Sequence, residues 1–202
     1  MFRKLLLTCA AVMLLTTVNA VAYADCVELV QGQSVTFTFQ SANFPGTTAT
    51  VTYTLQGNQL LFTATNTSTD NTRIKGIGIN TTPDLNVINS SFSGGLSAFS
   101  FSSGGGGLGN MEAIASSSGN NTLNKGQTGS GVFTLSSAPA SICIDQATIH
   151  FISLPNGDSE KVNGVPPPPI PEPATMVLLG TGLAGVAAKI RKRNKARKEE
   201  LS

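Results

Sequence analysis

Residues 48–64 read TATVTYTLQGNQLLFTA and carry the clearest structural signal in this chain. Threonine alternates with an apolar residue from 48 to 55, and apolar residues return at every second position from 60 to 64. A period of two with β-branched partners is typical of strands that bury one face. Between the two runs, Gly57 and Asn58 favour a tight hairpin. The stretch therefore predicts two antiparallel strands joined by a short turn.

Short segments of strand-like sequence occur on both sides of this hairpin, at residues 35–39, 77–79, 85–88, 99–101, 111–115, 132–135 and 147–152. No segment shows a convincing 3.6-residue period of the kind that predicts a helix. Many short strands separated by turn residues predict an all-β domain over residues 25–164, a β-sandwich of jelly-roll or immunoglobulin-like type. The glycine-rich run at residues 102–109 is predicted to be a flexible loop.

The charges of the chain are divided between its ends and its middle. The 202 residues have a formal net charge of +2, and 12% of them are charged. Residues 25–173 contain four basic and nine acidic side chains, a net charge of about −5. This negative middle argues against a nucleic-acid partner.

The N-terminus has the layout of a secretory signal peptide over residues 1–24. A basic pair precedes an apolar run, and Ala22 and Ala24 supply the small side chains that signal peptidase requires before a cut at Asp25. The apolar run is shorter than the roughly 20 residues of a spanning helix. This length favours cleavage over the alternative, an uncleaved N-terminal anchor.

Three blocks follow one another at the C-terminus. Residues 165–173 form a proline-rich linker that is expected to be extended, since proline lacks an amide hydrogen and has a fixed φ. Residues 174–190 can insert as a short transmembrane helix. Residues 191–202 form a basic tail that should stay in the cytoplasm with the N-terminus, leaving the domain on the other side. The cationic cluster that sets this topology is Lys189, Arg191, Lys192, Arg193, Lys195, Arg197 and Lys198.

Pro171, Glu172 and Pro173, followed by this apolar segment and the cationic cluster, resemble the PEP-CTERM sorting tail of Gram-negative bacteria. That tail has also been labelled an ice-binding-protein C-terminal domain. The resemblance implies that these three residues are recognised by an exosortase, a membrane protease that cuts near them. It also implies an inner-membrane precursor with a periplasmic domain, and then a cell-surface or secreted product associated with exopolysaccharide or biofilm. The alternative is a plain membrane anchor behind a proline-rich spacer.

Two cysteines remain after a signal peptide containing Cys9 is removed. Cys26 and Cys143 form an even pair in an exported chain, which predicts one disulfide. The bond would close a loop of more than 100 residues. In the chain-entropy model such a loop contributes at most ~4–5 kcal/mol. The alternative is two buried free thiols.

The only histidine, His150, lies in a predicted strand. If its neighbours Ala147, Ile149 and Phe151 face the core, His150 is expected to be exposed to solvent together with Thr148. One histidine cannot build a multi-histidine zinc site. The sequence therefore predicts no catalytic residue on this strand.

Other patterns of the chain give no metal or cofactor site. Residues 180–185 match G-x-G-x-x-G, but a proline run precedes them where a dinucleotide-binding fold needs a strand. No D-x-D-x-D-G calcium loop occurs, and Asp158 and Glu160 in the turn at 156–160 are better explained as solvated side chains. Metal and cofactor are both predicted to be none.

Four asparagines fit the N-glycosylation pattern, namely Asn66, Asn80, Asn89 and Asn120. In a bacterial chain the general richness in Asn, Ser and Thr is the simpler explanation. Surface glycosylation is kept only as a hypothesis.

Two targeting ends around a middle with few catalytic groups predict a non-enzymatic exported surface or matrix protein. Its partners would be signal peptidase, exosortase, the membrane and exopolysaccharide. A second hypothesis is a polysaccharide- or ice-binding module, suggested by the alternating threonines at Thr48, Thr50, Thr52 and Thr54. A third is a glycan hydrolase whose carboxylates meet only on folding.

Overall fold

The chain divides into a unit of residues 1–167 and a unit of residues 168–202. The computed structural model describes residues 26–104, 107–168, 181–183, 185–186 and 189–190. From residue 181 onward the described residues are helical. The described part of the chain contains no helix whose length and hydropathy suffice to cross a membrane. Most of the predicted transmembrane segment lies outside the described residues.

The first unit is built from short antiparallel strands. In chain order they are β1 (Val27–Val30), β2 (Ser34–Gln40), β3 (Thr48–Gln56), β4 (Gln59–Asn66), β5 (Arg73–Thr82), β6 (Val87–Gly94), β7 (Ser100–Ser102), β8 (Ala113–Ser116), β9 (Thr128–Leu135), β10 (Ser141–Ile152) and β11 (Ser159–Asn163).

These strands form two sheets that share one hydrophobic core. Sheet A has the order β1-β10-β5-β8-β7, and β11 also pairs with β10. Sheet B has the order β2-β3-β4-β9-β6. The predicted all-β, sandwich-like class is therefore confirmed, while the jelly-roll or immunoglobulin-like type stays a prediction.

The predicted hairpin at 48–64 is confirmed as β3 and β4. Gln56 faces Gln59 across a two-residue turn, and Gly57 has a φ of +59°. A positive φ at the first central position is what a type II′ turn requires, and glycine adopts it without steric cost. The ring of Phe62 in β4 lies 6.0 Å from that of Tyr53 in β3 and 5.2 Å from that of Phe133 in β9. The alternating pattern thus places large side chains from adjacent strands in one core.

Several observed strands are longer than predicted, β5, β9 and β10 among them, and four differences go further. The segment predicted at 85–88 begins at Val87 and continues to Gly94, and the one predicted at 111–115 is Ala113–Ser116. Strands β1 and β11 were not among the predicted segments. Each of them buries a single apolar side chain, Leu29 or Val162, so neither shows a recognisable alternation.

The outer face of sheet A is covered by a small apolar cluster, which we call the cap. It consists of Leu108, Met111 and Ile114. The cap sits over Gly78 of β5, where an added Cβ would lie 2.9 Å from the Met111 side chain. Leu108 is only 5% exposed although it lies in the run predicted to be a flexible loop. Burial of Leu108 and the hydrogen bond from Gly104 N–H to Met111 C=O at 2.9 Å hold this part of the loop against sheet A.

Candidate functional site

Rows of hydroxyl side chains run across the outer side of sheet B, which we call the hydroxyl face. Strand registry aligns the members of each row across neighbouring strands. The first row is Thr38, Thr50, Thr65 and Thr128, and the second is Thr36, Thr52, Thr63, Ser130 and Ser93. The threonines predicted as a row on one strand are thus part of a two-dimensional array.

Many hydroxyls of this face are hydrogen-bonded to one another. Thr36 pairs with Thr52 at 2.8 Å between their oxygens, and Thr65 pairs with Thr128 at 2.9 Å. Cross-strand threonine pairs of this kind stabilise a sheet by a few tenths to about 1 kcal/mol each. The array therefore has a structural role of its own, beside any contact it makes with a partner.

The hydroxyl face carries no formal charge, because none of the five strands of sheet B contains Asp, Glu, Lys, Arg or His. The rings of these strands pack toward the core: Phe37, Phe39, Tyr53, Phe62, Phe92 and Phe133. The hydroxyl face thus presents neither a charged side chain nor an exposed aromatic ring to a binding partner. What it can do chemically is form neutral hydrogen bonds over a regular surface.

The predicted disulfide is confirmed. Cys26 and Cys143 are bonded, with their Cα atoms 5.5 Å apart, across a separation of 117 residues. Cys26 immediately precedes β1, and Cys143 lies in the part of β10 that pairs with β1. The bond therefore fixes the start of the folded unit to the longest strand of sheet A.

Residues Gly164 and Val165 fasten the end of the folded unit to both sheets, and we call them the strap. The Gly164 N–H donates to Ala147 C=O of β10 at 2.8 Å. The Val165 N–H donates to Thr38 C=O of β2 at 2.8 Å, and Thr38 N–H donates back at 3.0 Å. The linker to the predicted sorting motif thus leaves from a fixed point.

The two ends of the folded unit line one open cleft of about 340 Å³. Cys26 and Pro166 lie on its wall together with Asp145. Strand β5 pairs along one edge of β10, so β1 and β11 share its other edge. Strand β1 pairs with residues 141–144 of β10, and β11 pairs with residues 148–152. The cleft occupies the gap between these two collinear strands.

Glu112 is the carboxylate whose surroundings perturb it most clearly. Its Oε2 accepts hydrogen bonds from the Thr81 N–H and the Thr81 hydroxyl, both at 3.1 Å, while Oε1 is buried without a partner. Burial raises the pKa of Glu112, the Thr81 bonds partly offset this, and the charges of Asp84 and Asp145 raise it further.

Asp84 and Asp145 lie near enough to Glu112 for their charges to act on it. Asp145 lines the cleft at the chain ends, Asp84 lines a smaller one beside Pro83, and Glu112 lines neither. The glycan-hydrolase hypothesis stays a hypothesis.

The expected exposure of His150 and Thr148 is wrong. Both project from the outer side of sheet A, but Thr148 is only 3% exposed and His150 is half-buried. The loop that leads to the cap lies against His150, since a Cβ on Gly107 would be 2.9 Å from His150 Nδ1, and the Thr148 hydroxyl donates to Asn163 Oδ1 at 2.9 Å. Burial lowers the pKa of His150, and the charges of Lys75 and Lys161 lower it further. His150 therefore lies partly covered by a loop, in surroundings that disfavour its charged form.

The acids of the turn at 156–160 are engaged within the protein. Glu160 Oε2 accepts from the Ser41 hydroxyl at 2.6 Å, and Asp158 Oδ2 accepts from Asn156 Nδ2 at 2.7 Å. Among the residues that the structure describes, no group of three or more His, Cys, Asp or Glu side chains could hold a metal ion.

Sequence reasoning missed the structural role of Asn66. This side chain is fully buried, and its Nδ2 donates to Thr72 C=O at 2.9 Å and to Leu123 C=O at 3.1 Å. The signal was present, because the inward positions 60, 62 and 64 lead to 66 by the same period of two. Buried in this way, Asn66 is not accessible as a glycosylation acceptor.

Several predicted site residues lie outside the described residues. They are the signal-peptidase residues Ala22, Ala24 and Asp25, the motif Pro171, Glu172 and Pro173, and the cations Arg191, Lys192, Arg193, Lys195, Arg197 and Lys198. Lys189 is described, and it lies with residue 190 in helical conformation. The predicted roles of these residues, including both cleavage sites, stay predictions.

The fold defines the class of this protein as all-β, with two antiparallel sheets. A comparison with family models then identifies the segment behind the domain, since residues 169–193 match the PEP-CTERM protein-sorting motif. The match confirms the resemblance drawn from Pro171, Glu172 and Pro173. A chain with this motif is a membrane-anchored precursor that an exosortase processes for export to the cell surface. No curated protein and no solved structure matches the chain.

Proposed function

We propose that this chain is a non-enzymatic surface or matrix protein that works outside the cell, in association with exopolysaccharide or biofilm. The observation that carries the proposal is the PEP-CTERM motif at residues 169–193, placed directly behind a folded β domain. The Cys26–Cys143 disulfide supports it, because such bonds form and persist in oxidising compartments outside the cytoplasm.

The proposed topology follows the charges of the sequence. Both termini of the precursor lie in the cytoplasm, and the β domain lies in the periplasm. The domain itself works as a scaffold or adhesin through its uncharged hydroxyl face rather than through catalysis.

The sorting role is tested by replacing Pro171, Glu172 and Pro173 with alanine in a host that has an exosortase. The variant should accumulate as a heavier, membrane-bound form. The matched control replaces Pro166, Pro167 and Pro168, which removes three prolines rather than two but keeps the motif. Control protein should be released like the wild type. Unchanged release and mass of the motif variant would overturn the sorting role.

A second candidate function is a polysaccharide- or ice-binding module. Its supporting observation is the registered array of Thr38, Thr50, Thr65 and Thr128 on a face without charge. Replacing Thr52 and Thr63 with valine removes two hydroxyls and keeps the β-branched shape. Glycan-array binding or thermal hysteresis of the released protein should then fall, while Thr82→Val, off this face, should leave it unchanged. Absence of both activities in the wild type would exclude this function.

A further inference from the structure

The edges of the two sheets differ in how well they are protected against pairing with another strand. A free edge presents unpaired backbone groups, and natural proteins blunt it with short strands, charges, prolines or covering segments. On sheet A, β7 is only three residues long. The opposite edge is divided between β1 and β11 and carries Glu28, Glu160 and Lys161. Both edges of sheet A are therefore blunted.

On sheet B, the β2 edge is also protected. Val165 of the strap pairs with Thr38 in the middle of this strand. The chain then continues with Pro166, Pro167 and Pro168, which have no N–H to donate to a ladder. The strap thus occupies the middle of this edge, and the prolines that follow it in sequence cannot extend a ladder.

Strand β6 forms the remaining edge and has little of this protection. It is eight residues long, VINSSFSG, with neither a charged residue nor a proline. Among residues 26–104 and 107–168 it pairs only with β9. A bulge at Ile88 interrupts its start, but pairing with β9 is continuous from Asn89 to Gly94. This leaves a regular six-residue edge.

Two details of this edge bear on what it can bind. The Ser90 N–H donates to Asn89 Oδ1 at 2.8 Å, so one backbone donor is satisfied locally. Ile88, beside the regular part, is 63% exposed. An added strand would shield Ile88 from water and would occupy the backbone groups that neither β9 nor Asn89 satisfies.

We propose that β6 pairs with β6 of a second copy of this chain. Antiparallel pairing of a strand with itself is two-fold symmetric, so identical edges are complementary without any further adaptation. The absence of charge on β6 removes the repulsion that like charges would impose when identical edges meet. Two five-stranded sheets would then join into one continuous sheet of ten strands. This pairing does not depend on sorting, since it concerns only the folded domain.

Cysteine cross-linking of the full chain tests the proposal. Ser91→Cys and Ser93→Cys place a thiol on exposed positions of β6, and Thr36→Cys places one on exposed β2 as the matched control. Ser91→Cys or Ser93→Cys should give a disulfide-linked dimer on a non-reducing gel, whereas Thr36→Cys should stay monomeric. Because the C-terminal tail is present in all variants, association through the tail contributes equally to the control. Equal cross-linking of all three variants, or none in any of them, would overturn the proposal.

Charge insertion gives a second, independent readout. Ser91→Lys should weaken self-association of the detergent-solubilised full chain at least tenfold, measured by light scattering after size exclusion. Thr36→Lys adds the same charge to the blocked edge and should leave the dissociation constant unchanged. Ser93→Lys serves at the same edge if Ser91→Lys does not fold. A wild-type chain that stays monomeric at all concentrations would contradict the proposal.

Discussion

The backbone of Val165 is hydrogen-bonded to that of Thr38 in both directions, at 2.8 and 3.0 Å. Val165 follows β11 of sheet A, and Thr38 belongs to β2 of sheet B. The bridge at Val165 thus joins the end of β11 in sheet A to the edge strand of sheet B. Pulling on the linker that leads to the sorting motif would load both layers at once.

Gly164→Ala should loosen this strap. An added Cβ would lie 2.7 Å from the buried ring of Phe39 and 3.0 Å from Phe37 Cβ, so the strap or the ring must move. Overpacking of this kind costs about 1–3 kcal/mol of unfolding free energy. Urea denaturation of the detergent-solubilised full chain, which retains Gly182, measures the loss. Gly182→Ala, where an added Cβ meets nothing within 4 Å, is the control and should leave the midpoint unchanged.

Asn66→Ala should destabilise the domain by about 2 kcal/mol. It deletes two buried hydrogen bonds, to Thr72 and Leu123, and leaves their acceptors with fewer partners. Thermal unfolding followed by circular dichroism would show the lower midpoint. Asn120→Ala, at an exposed asparagine of the same sequence pattern, should have little effect. Equal midpoints for the two variants would show that the Asn66 bonds contribute nothing.

Glu112→Gln should stabilise the domain at neutral pH. The folded-state pKa of Glu112 is raised by burial, so the folded protein holds this proton more tightly than the unfolded chain. The associated stability is present below the ordinary pKa of a glutamate and is lost as pH rises through the raised pKa. Glutamine stays neutral throughout, so the variant should gain over wild type above this window and not below it.

The readout for Glu112→Gln is the unfolding free energy measured across the acid range. Glu28→Gln, on the exposed side of β1, removes the same charge at a site without this burial. It should not reproduce the pH-dependent difference. A constant offset between Glu112→Gln and wild type at every pH would contradict the linkage.

Replacing Cys26 and Cys143 with serine should lower the unfolding free energy by up to about 4 kcal/mol. The bond closes a loop of 117 residues, and its loss frees the unfolded chain from that constraint. Denaturant unfolding of the released protein measures the change, and added reductant should do the same to wild type. Cys9→Ser, within the predicted signal peptide, should leave the released protein as stable as wild type.

The strands of sheet B were largely predictable because their burial pattern is visible in their own sequences as alternation of apolar and polar residues. Each side of the 48–64 hairpin faces either core or solvent along its whole length, so a strict period of two appears in the sequence. The same alternation, extended by two residues beyond Ala64, predicts that the Asn66 side chain points into the core. The threonine array needed the structure, because only registry between distant strands such as β4 and β9 aligns Thr65 with Thr128.

Sheet A was harder to predict because loops cover it. Thr148 and His150 occupy positions that alternation assigns to solvent, and the cap that buries this face comes from residues more than 30 positions earlier. Periodicity along one strand contains no information about such a cover. The perturbed Glu112 was hidden for the same reason, since Thr81 reaches it only through the fold.

The collinear placement of β1 and β11 along β10 has a consequence for engineering and for evolution. The first and last strands of the domain lie next to each other on one edge of β10. The domain can therefore be inserted into a loop of another protein without forcing the two ends of that loop apart. It can also be circularised by a few glycines between Val165 and Cys26, which keeps the strap and the disulfide, and reopened at the Gly57 turn.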